Sequence, residues 1–166
     1  MEKEYVEKEL NAFIDRVAAS ARTNLLRHNT SRRLSRSIEG NVQVFPRSFT
    51  IEMFMEDYGE FQDKGVSGTE RKYNTPFKFT NKRPPASEFD QWQVRKGLAG
   101  RNERGQFTSR RGANFDLANH IYKQGIRPKL FFTKAWEDAF KELPEDIIEA
   151  YGLDVEDLMR ITLNIK

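Results

Sequence analysis

Apolar side chains recur at every third or fourth position from residue 5 to about residue 27. This spacing is typical of a helix that buries one side, so it predicts a long amphipathic N-terminal helix. The apolar side of this predicted helix consists of Val6, Leu10, Phe13, Ile14, Val17, Ala21 and Leu25. The opposite side carries Lys8, Asp15 and Arg22, which would face water.

A short second helix is predicted next, because Asn, Thr and Ser at 29–31 can cap its N-terminus, and Gly40 is expected to end it. The pattern then changes to alternation in NVQVF (41–45) and FTIEMFME (49–56), which predicts a β-hairpin. One face of the hairpin would carry Phe49, Ile51, Met53 and Met55. Phe54 shares the other face with polar residues, so we expect that face to be only partly covered.

Three further helices are predicted at about 86–98, 113–124 and 129–143, each from an apolar stripe or a run of helix formers. The second is expected to pack Phe115, Leu117, Ala118, Ile121 and Tyr122, and to end at Gly125. The third is expected to pack Phe132, Trp136, Ala139, Phe140 and Leu143. Pro144 suits the first turn of one more helix.

Together these patterns predict a chain of helices with one β-hairpin. A length of 166 residues suits a single domain, 1–166. Glycine-punctuated, basic residues at about 66–112 are expected to form a loop or arm inserted in this domain, and 144–166 an acidic helical extension.

The net charge of +3 conceals an uneven distribution. Residues 64–112 contain twelve Lys and Arg against four Asp and Glu, and residues 22–47 contain six against one. Residues 137–166 contain three against nine. This split is compatible with two solvated faces, with a basic surface that meets nucleic acid or an acidic partner, and with basic-to-acidic contact between copies around a ring.

Composition argues against several classes of protein. No apolar run reaches 18 residues and the N-terminus is charged, so neither a membrane span nor a secretory signal is expected. Without cysteine there are no disulfides, thiolate metal sites or cysteine nucleophiles, and folding in a reducing cytoplasm is expected. His28 and His120 lie in no ligand-spaced cluster, so we expect no metal and no cofactor.

One enzymatic hypothesis is a metal-dependent nuclease. Carboxylates near the end of the second predicted strand can hold Mg²⁺, and Lys64 beside them can stabilise charge on a phosphate. The candidate ligands are Glu52, Glu56, Asp57, Glu60 and Asp63. Their spacing matches no nuclease motif, and acidic residues at a strand end also commonly face water.

The basic segment contains a second candidate site. A dense array of cations is sufficient to neutralise phosphates, and Trp92 and Phe107 could stack on bases. No helix here carries a base-reading pattern, so we expect contact with the nucleic-acid backbone rather than with sequence. Contact with an assembly partner is the alternative. The candidate residues for DNA or inter-subunit contact are Arg95, Lys96, Arg101, Arg104, Arg110 and Arg111.

Three motifs occur in order along the chain. They are TSRRLSRSI (30–38), YGEFQDKGVSGT (58–69) and GIRPKLFFTKAWEDAF (125–140). In this order and spacing they resemble the tailed-phage head–tail joining family, the neck or tail-completion proteins also called minor tail components. The resemblance spans roughly residues 3–145. The long basic insertion is similar to the ring-protein versions in short-tailed, crAss-like phages of Bacteroidota.

The resemblance implies an α+β fold, in which a small antiparallel sheet, made of the hairpin plus an additional strand, packs against the long N-terminal helix and the C-terminal helices. It also implies a structural virion protein without catalysis. It implies a homo-oligomeric ring at the head–tail junction, assembled in the host cytoplasm, with portal, adaptor or tail-tube proteins as neighbours and DNA in its channel. The matching positions would anchor the core: Leu34, Ser37, Ile38, Tyr58, Phe61, Gly65, Arg127, Pro128 and Phe132. Gly65 and Gly68 are expected to adopt positive φ where the insertion leaves the domain. The segment 62–69 departs from the usual Glu-Phe-Gly-Thr-Gly, and 68–127 is longer than in many members.

These observations leave three hypotheses. The first is the ring-forming structural subunit that the resemblance implies. The second is a stand-alone, nonspecific nucleic-acid-binding protein, for which DNA affinity would fall steeply with salt. The third is the metal-dependent nuclease described above.

Overall fold

The computed structural model describes residues 3–26, 32–46, 48–97, 100–101, 104–107 and 109–153. Within these ranges the fold is α+β, as predicted. The helices and strands in chain order are α1 (Lys3–Leu26), α2 (Arg33–Ser37), β1 (Glu39–Val44), β2 (Phe49–Phe54), α3 (Gly59–Lys64), α4 (Asp90–Lys96), α5 (Arg110–Gln124), α6 (Phe131–Phe140) and α7 (Glu145–Tyr151). A 3₁₀ turn at Ala86–Phe89 leads into α4.

The chain forms two compact units. The first unit comprises Met1–Gly59 and Leu130–Lys166, and the second unit comprises Glu60–Lys129. The sequence predicted one domain with a basic arm at 66–112, whereas the second unit is longer than that arm and includes all of α5. The expected arm itself contains the 3₁₀ turn, α4 and the first turn of α5. It has this structure because α5 offers a helix for the preceding segments to pack on.

The core of the first unit is built around α1, which packs against α6 and β1. Every residue of the predicted apolar stripe of α1 is buried, which confirms that helix. On α6, Phe132, Trp136 and Ala139 are buried as predicted, Leu143 is buried just beyond it, and Phe140 is half-buried. Phe131 is also fully buried, so both phenylalanines at the start of α6 contribute to the core.

The predicted hairpin is confirmed. β1 and β2 are antiparallel, with Val42 opposite Ile51 and Glu39 opposite Phe54. The predicted inner face of β2 is buried or half-buried, whereas Phe54 on the outer face is 53% exposed. The sheet has two strands, and the additional strand expected from the sequence is absent from the described residues.

Gly40 lies inside β1 and does not end α2, which already ends at Ser37. A side chain at residue 40 would overlap Ile14 on α1 and approach the sulfur of Met53 to 2.5 Å. The glycine therefore allows the hairpin to lie close to α1. The expected caps of α2 at 29–31 lie outside the described residues.

The end of the described chain follows the prediction. Pro144 immediately precedes α7, and Gly152 ends that helix in a left-handed conformation with φ of 58°. The remainder of the expected acidic extension, 154–166, lies outside the described residues. In the part of the chain that is described, no helix is both long enough and apolar enough to cross a membrane.

Candidate nucleic-acid or inter-subunit interface

Charge divides along the boundary between the two units. The second unit, 60–129, contains 15 Lys and Arg against 7 Asp and Glu, a net charge of +8. The first unit contains 13 against 18, a net charge of −5. The second unit, called the basic unit below, is therefore the candidate site for an anionic partner, and the first unit is called the acidic unit.

The glycine-rich motif at 65–69 closes the C-terminal end of α5. The backbone N–H groups of Thr69 and Glu70 donate to the carbonyl oxygens of Tyr122 and Lys123, each at 3.0 Å. A two-way bridge between Val66 and Ile126 lies beside them. The last carbonyls of a helix have no partner within the helix, so this segment caps α5.

Glycine is required there for close approach of two backbones. A side chain at residue 68 would overlap the carbonyl of Lys123, although Gly68 itself does not have the positive φ that the sequence suggested. Gly65 does adopt positive φ, at 75°, and a side chain there would lie 2.6 Å from the carbonyl oxygen of Ile126. The motif thus joins the two ends of the second unit.

A strap at 79–83 runs along one side of α5. Phe79 packs against Tyr122, whose hydroxyl donates to the carbonyl of Thr80 at 2.6 Å. The guanidinium of Arg83 donates to Asn119 at 2.6 Å and lies 4.0 Å from the ring centre of Phe115. Residues 115, 119 and 122 are one helical stripe, so the strap holds α5 by that stripe. The sequence predicted that Phe115 is buried, but its side chain is 47% exposed, because only Arg83 of the strap covers the ring.

Arg101 belongs to a closed local turn. Its backbone forms a bridge with Phe107, and its side chain donates to the carbonyl of Gly105 at 2.9 Å. The guanidinium also lies 4.2 Å from the centre of the Phe107 ring. Such cation–π contacts contribute about 0.5–1 kcal/mol at exposed sites. Arg101 is therefore held in place before any partner binds.

Arg110 and Arg111 lie in the first turn of α5, not in a loop. The side-chain oxygen of Ser109 accepts from the N–H of Gly112 at 3.2 Å and begins the helix there. Arg110 is 3.9 Å from Asp90, which also accepts from the buried Asn114 at 3.3 Å. Arg111 is exposed. Two cations therefore lie at the positive end of the helix dipole.

The other candidate basic residues are spread along the second unit. Lys96 is exposed at the last position of α4, and Arg95 precedes it, although its side chain lies outside the described residues. Arg104 is exposed in the turn that contains Gly105. The structure therefore places all six candidates in the basic unit, but it orders Arg101 and Arg110 through neighbours within that unit.

Sequence reasoning missed Lys129, which contributes to the same basic unit. Its ammonium donates to Gln62 at 2.8 Å, and its backbone N–H bonds to the carbonyls at 62 and 63. Burial lowers the pKa of Lys129 below its ordinary value, and the positive charge of Lys96 lowers it further. A lysine beside Pro128 in an apolar motif carried no sequence feature that marked it as special.

We expect Lys129→Met to be more stable than the wild type at neutral pH, by on the order of 0.5 kcal/mol, because the half-buried charge is removed. The folded protein lowers the pKa of Lys129, so it binds fewer protons than the unfolded chain. The cost of the charge is fully present below the folded pKa and disappears above the ordinary value of 10.5. Denaturant melts from pH 7 to 10.5 should show the advantage of Lys129→Met shrinking as pH rises; an advantage independent of pH would contradict this.

The residues of the three motifs serve mainly as structural anchors. Leu34, Ile38 and Phe132 are fully buried, and the hydroxyl of Ser37 accepts from the N–H of Glu56 at 3.0 Å. Tyr58 is half-buried and packs against the core of the first unit.

Two of the expected anchors are wrong. Phe61 is 41% exposed, because the chain turns into α3 and leaves its ring edge-on to Phe77 at 4.7 Å. Arg127 is exposed as well. Pro128 is half-buried, and it lies beside Gly65, where an added side chain would approach its ring to 2.7 Å.

The carboxylates proposed as metal ligands have other environments. Glu56 is 2.9 Å from Arg33, and Glu60 is 2.8 Å from Lys64. The side chain of Asp63 is buried, whereas that of Glu52 is exposed on the outer face of the hairpin. Among the described residues, no group of three or more His, Asp or Glu side chains could hold a metal ion.

Comparisons with protein-family models, with curated proteins and with solved structures found no match to this chain.

Proposed function

We propose that this protein is a structural subunit that forms a ring at the head–tail junction of a tailed phage. The observation that carries the proposal is the division of charge between two separately packed units, +8 on Glu60–Lys129 and −5 on the remainder. The motifs at 30–38, 58–69 and 125–140 occur in the order typical of the head–tail joining family, and this resemblance suggests the location of the ring. The subunit would assemble in the host cytoplasm and act in the virion, without a cofactor.

Opposite charges on one chain favour head-to-tail association of copies. A basic unit of one copy attracts the acidic unit of the next, while like units repel, so the contact is heterologous. Heterologous contacts close into a ring when the rotation between copies allows it. Salt screens exposed charges beyond about 8 Å at physiological ionic strength, so assembly should weaken as salt increases.

Within such a ring, basic residues outside the contact between copies would face the DNA channel or the adjacent portal, adaptor or tail ring. Arg111 and Lys96 are exposed and belong to the basic unit, so either role suits them. Contacts of this kind would be with phosphate, because none of these residues lies in a base-reading arrangement.

Light scattering of the purified protein across a concentration and salt series, with electron microscopy of the same sample, tests the ring directly. We expect closed rings of fixed copy number at low salt that dissociate as salt rises. Addition of the adjacent portal or tail ring as a template covers the case in which closure requires a neighbour. A monomer under all of these conditions would contradict the proposal.

The variant Arg111→Glu should separate assembly from stability. A carboxylate in the first turn of α5 is favoured by the helix dipole by about 0.3–1 kcal/mol, whereas the native cation is disfavoured. We therefore expect the melting temperature to stay unchanged or rise by a few degrees, while assembly or DNA retention falls. Lys82→Glu, at an exposed position of the second unit outside its helices, is the control for a change of net charge. Unfolding of Arg111→Glu would contradict the placement of this residue.

The net charge of +8 on the second unit also supports a second candidate function, nonspecific nucleic-acid binding by the protein alone. In that case the logarithm of the DNA affinity would fall with the logarithm of salt with a slope of about −0.9 per phosphate neutralised. A titration of the monomer with duplexes of unrelated sequence measures that slope. Tight binding by monomers together with the absence of rings would favour this function over the first.

A further inference from the structure

Phe107 is the most exposed large apolar side chain in the described part of the protein, at 69%. Its position is ordered by Arg101, through the backbone bridge, the 4.2 Å cation–π contact and the bond from Arg101 to Gly105. An aromatic side chain that is already held in place loses little conformational freedom on binding. The Arg101–Phe107 pair thus combines an apolar ring with a positive charge in a preorganised arrangement.

The outer face of the hairpin has the complementary composition. Phe54 is 53% exposed, Glu39 lies directly opposite it on β1, and Glu52 shares its face two residues earlier on β2. Both glutamates are exposed, and within the described residues neither belongs to an ion pair. The hairpin therefore exposes an aromatic ring beside two carboxylates that form no ion pair within the described residues.

We propose that the Arg101–Phe107 pair of one copy docks on the outer face of the hairpin of a neighbouring copy, with Phe107 against Phe54 and Arg101 near Glu39 and Glu52. The inference deepens the proposed function, on which it rests, by naming the contact between copies. The Arg101–Phe107 pair belongs to the unit with a net charge of +8 and the hairpin to the unit with a net charge of −5, so the overall charges of the two units favour this pairing. Aromatic and arginine side chains commonly dominate the energy of such interfaces.

A cross-linking experiment can test this contact without background, because the chain contains no cysteine. Phe107→Cys protein and Phe54→Cys protein are prepared separately, mixed at a concentration far above the one at which the wild type assembles, to offset the two aromatic rings that the substitutions remove, and treated with a short bis-maleimide. Both substitutions are at exposed positions, so each variant should melt near the wild-type temperature. We expect the mixture to yield a covalent dimer containing one copy of each variant, whereas each variant alone yields much less.

Two control pairs have one position outside the proposed contact. Phe115→Cys replaces Phe107→Cys in the first control, and Leu26→Cys replaces Phe54→Cys in the second; these positions are 47% and 54% exposed. Control pairs that cross-link as well as the 54–107 pair would overturn the proposed contact. Separately, Phe107→Ala should weaken association more than tenfold in a sedimentation assay, whereas Phe115→Ala should not.

The outcomes separate this contact from the ring itself. Rings that form without the 54–107 cross-link would retain the proposed function and overturn the docking. The cross-link in open oligomers without closed rings would retain the docking and overturn the ring. Loss of affinity of Phe107→Ala for a single-stranded oligothymidine, with no 54–107 cross-link, would assign the exposed ring to base stacking and overturn the docking.

Discussion

Replacing Gly125 by alanine is expected to destabilise the second unit by on the order of 4 kcal/mol. Gly125 has φ of 74° and ψ of −168°, a region of backbone conformation that is nearly exclusive to glycine. An added methyl group would also overlap the carbonyl oxygen of Val66 and lie 2.5 Å from the nitrogen of Gly68. Both neighbours are backbone atoms that side-chain rotation cannot move, so strain of about 1–3 kcal/mol adds to an overpacking cost of similar size.

Gly105→Ala is the matched control. Gly105 also has φ of 74°, but no atom lies within 4 Å of the position that its side chain would take. The two glycines share the same φ, so the difference between the two variants measures what Gly125 adds to it, namely its ψ of −168° and the close backbone approach. Equal destabilisation of the two would contradict the role assigned to Gly125.

The chain has two tryptophans, one in each unit, which makes a selective measurement possible. In a Trp136→Phe background the remaining fluorescence comes from Trp92 in the second unit, so denaturant melts report on that unit. Hydrogen exchange should in addition accelerate at Thr69 and Glu70 in Gly125→Ala, because their N–H groups would lose the carbonyls at the end of α5.

The elements of the first unit could be predicted because their patterns are local. The three- and four-residue spacing of α1 and the alternation of β2 each fix which side is buried without knowledge of any other element. Leu34 and Ile38 were placed in the core by the motif resemblance, and they are fully buried.

The errors concern residues whose environment is decided by distant parts of the chain. Phe61 was expected in the core, but α3 begins at Gly59 and its first turn leaves that ring edge-on to Phe77, sixteen residues later. Gly68 was recognised as special for the wrong reason, since its requirement is the carbonyl of Lys123 and not its own φ. No local pattern encodes a neighbour that lies 16 or 55 residues away along the chain.

In the candidate site, too, local features could be predicted and contacts between residues could not. Charge counting located the basic segment, because net charge is a property of sequence alone. It could not distinguish Arg101, which is stacked on Phe107, from Arg111, which is exposed at the start of α5. That distinction determines which cations are already held in place before a partner binds, and it depends on contacts among residues 101, 105 and 107 that net charge does not encode.

In the first unit, Trp136→Ala is expected to lower the free energy of unfolding by about 3–5 kcal/mol. Trp136 is fully buried, and its ring lies edge-on to Phe13 at 4.9 Å and tilted against Phe132 at 5.9 Å. Removing the indole would leave a cavity between α1 and α6, the two helices that form the centre of this core. Urea unfolding followed by circular dichroism measures the loss.

Trp136→Phe separates packing from hydrogen bonding at the same position. Among the described residues no acceptor bonds to the indole N–H of Trp136, so the native core carries a buried donor whose desolvation costs about 1–3 kcal/mol. Phenylalanine keeps an aromatic ring against Phe13 and removes that donor, so its two effects oppose each other. We expect Trp136→Phe to cost less than about 1.5 kcal/mol. A cost equal to that of Trp136→Ala would contradict this expectation. It would indicate that the indole N–H donates a hydrogen bond in the folded protein, so that position 136 would require the N–H as well as an aromatic ring.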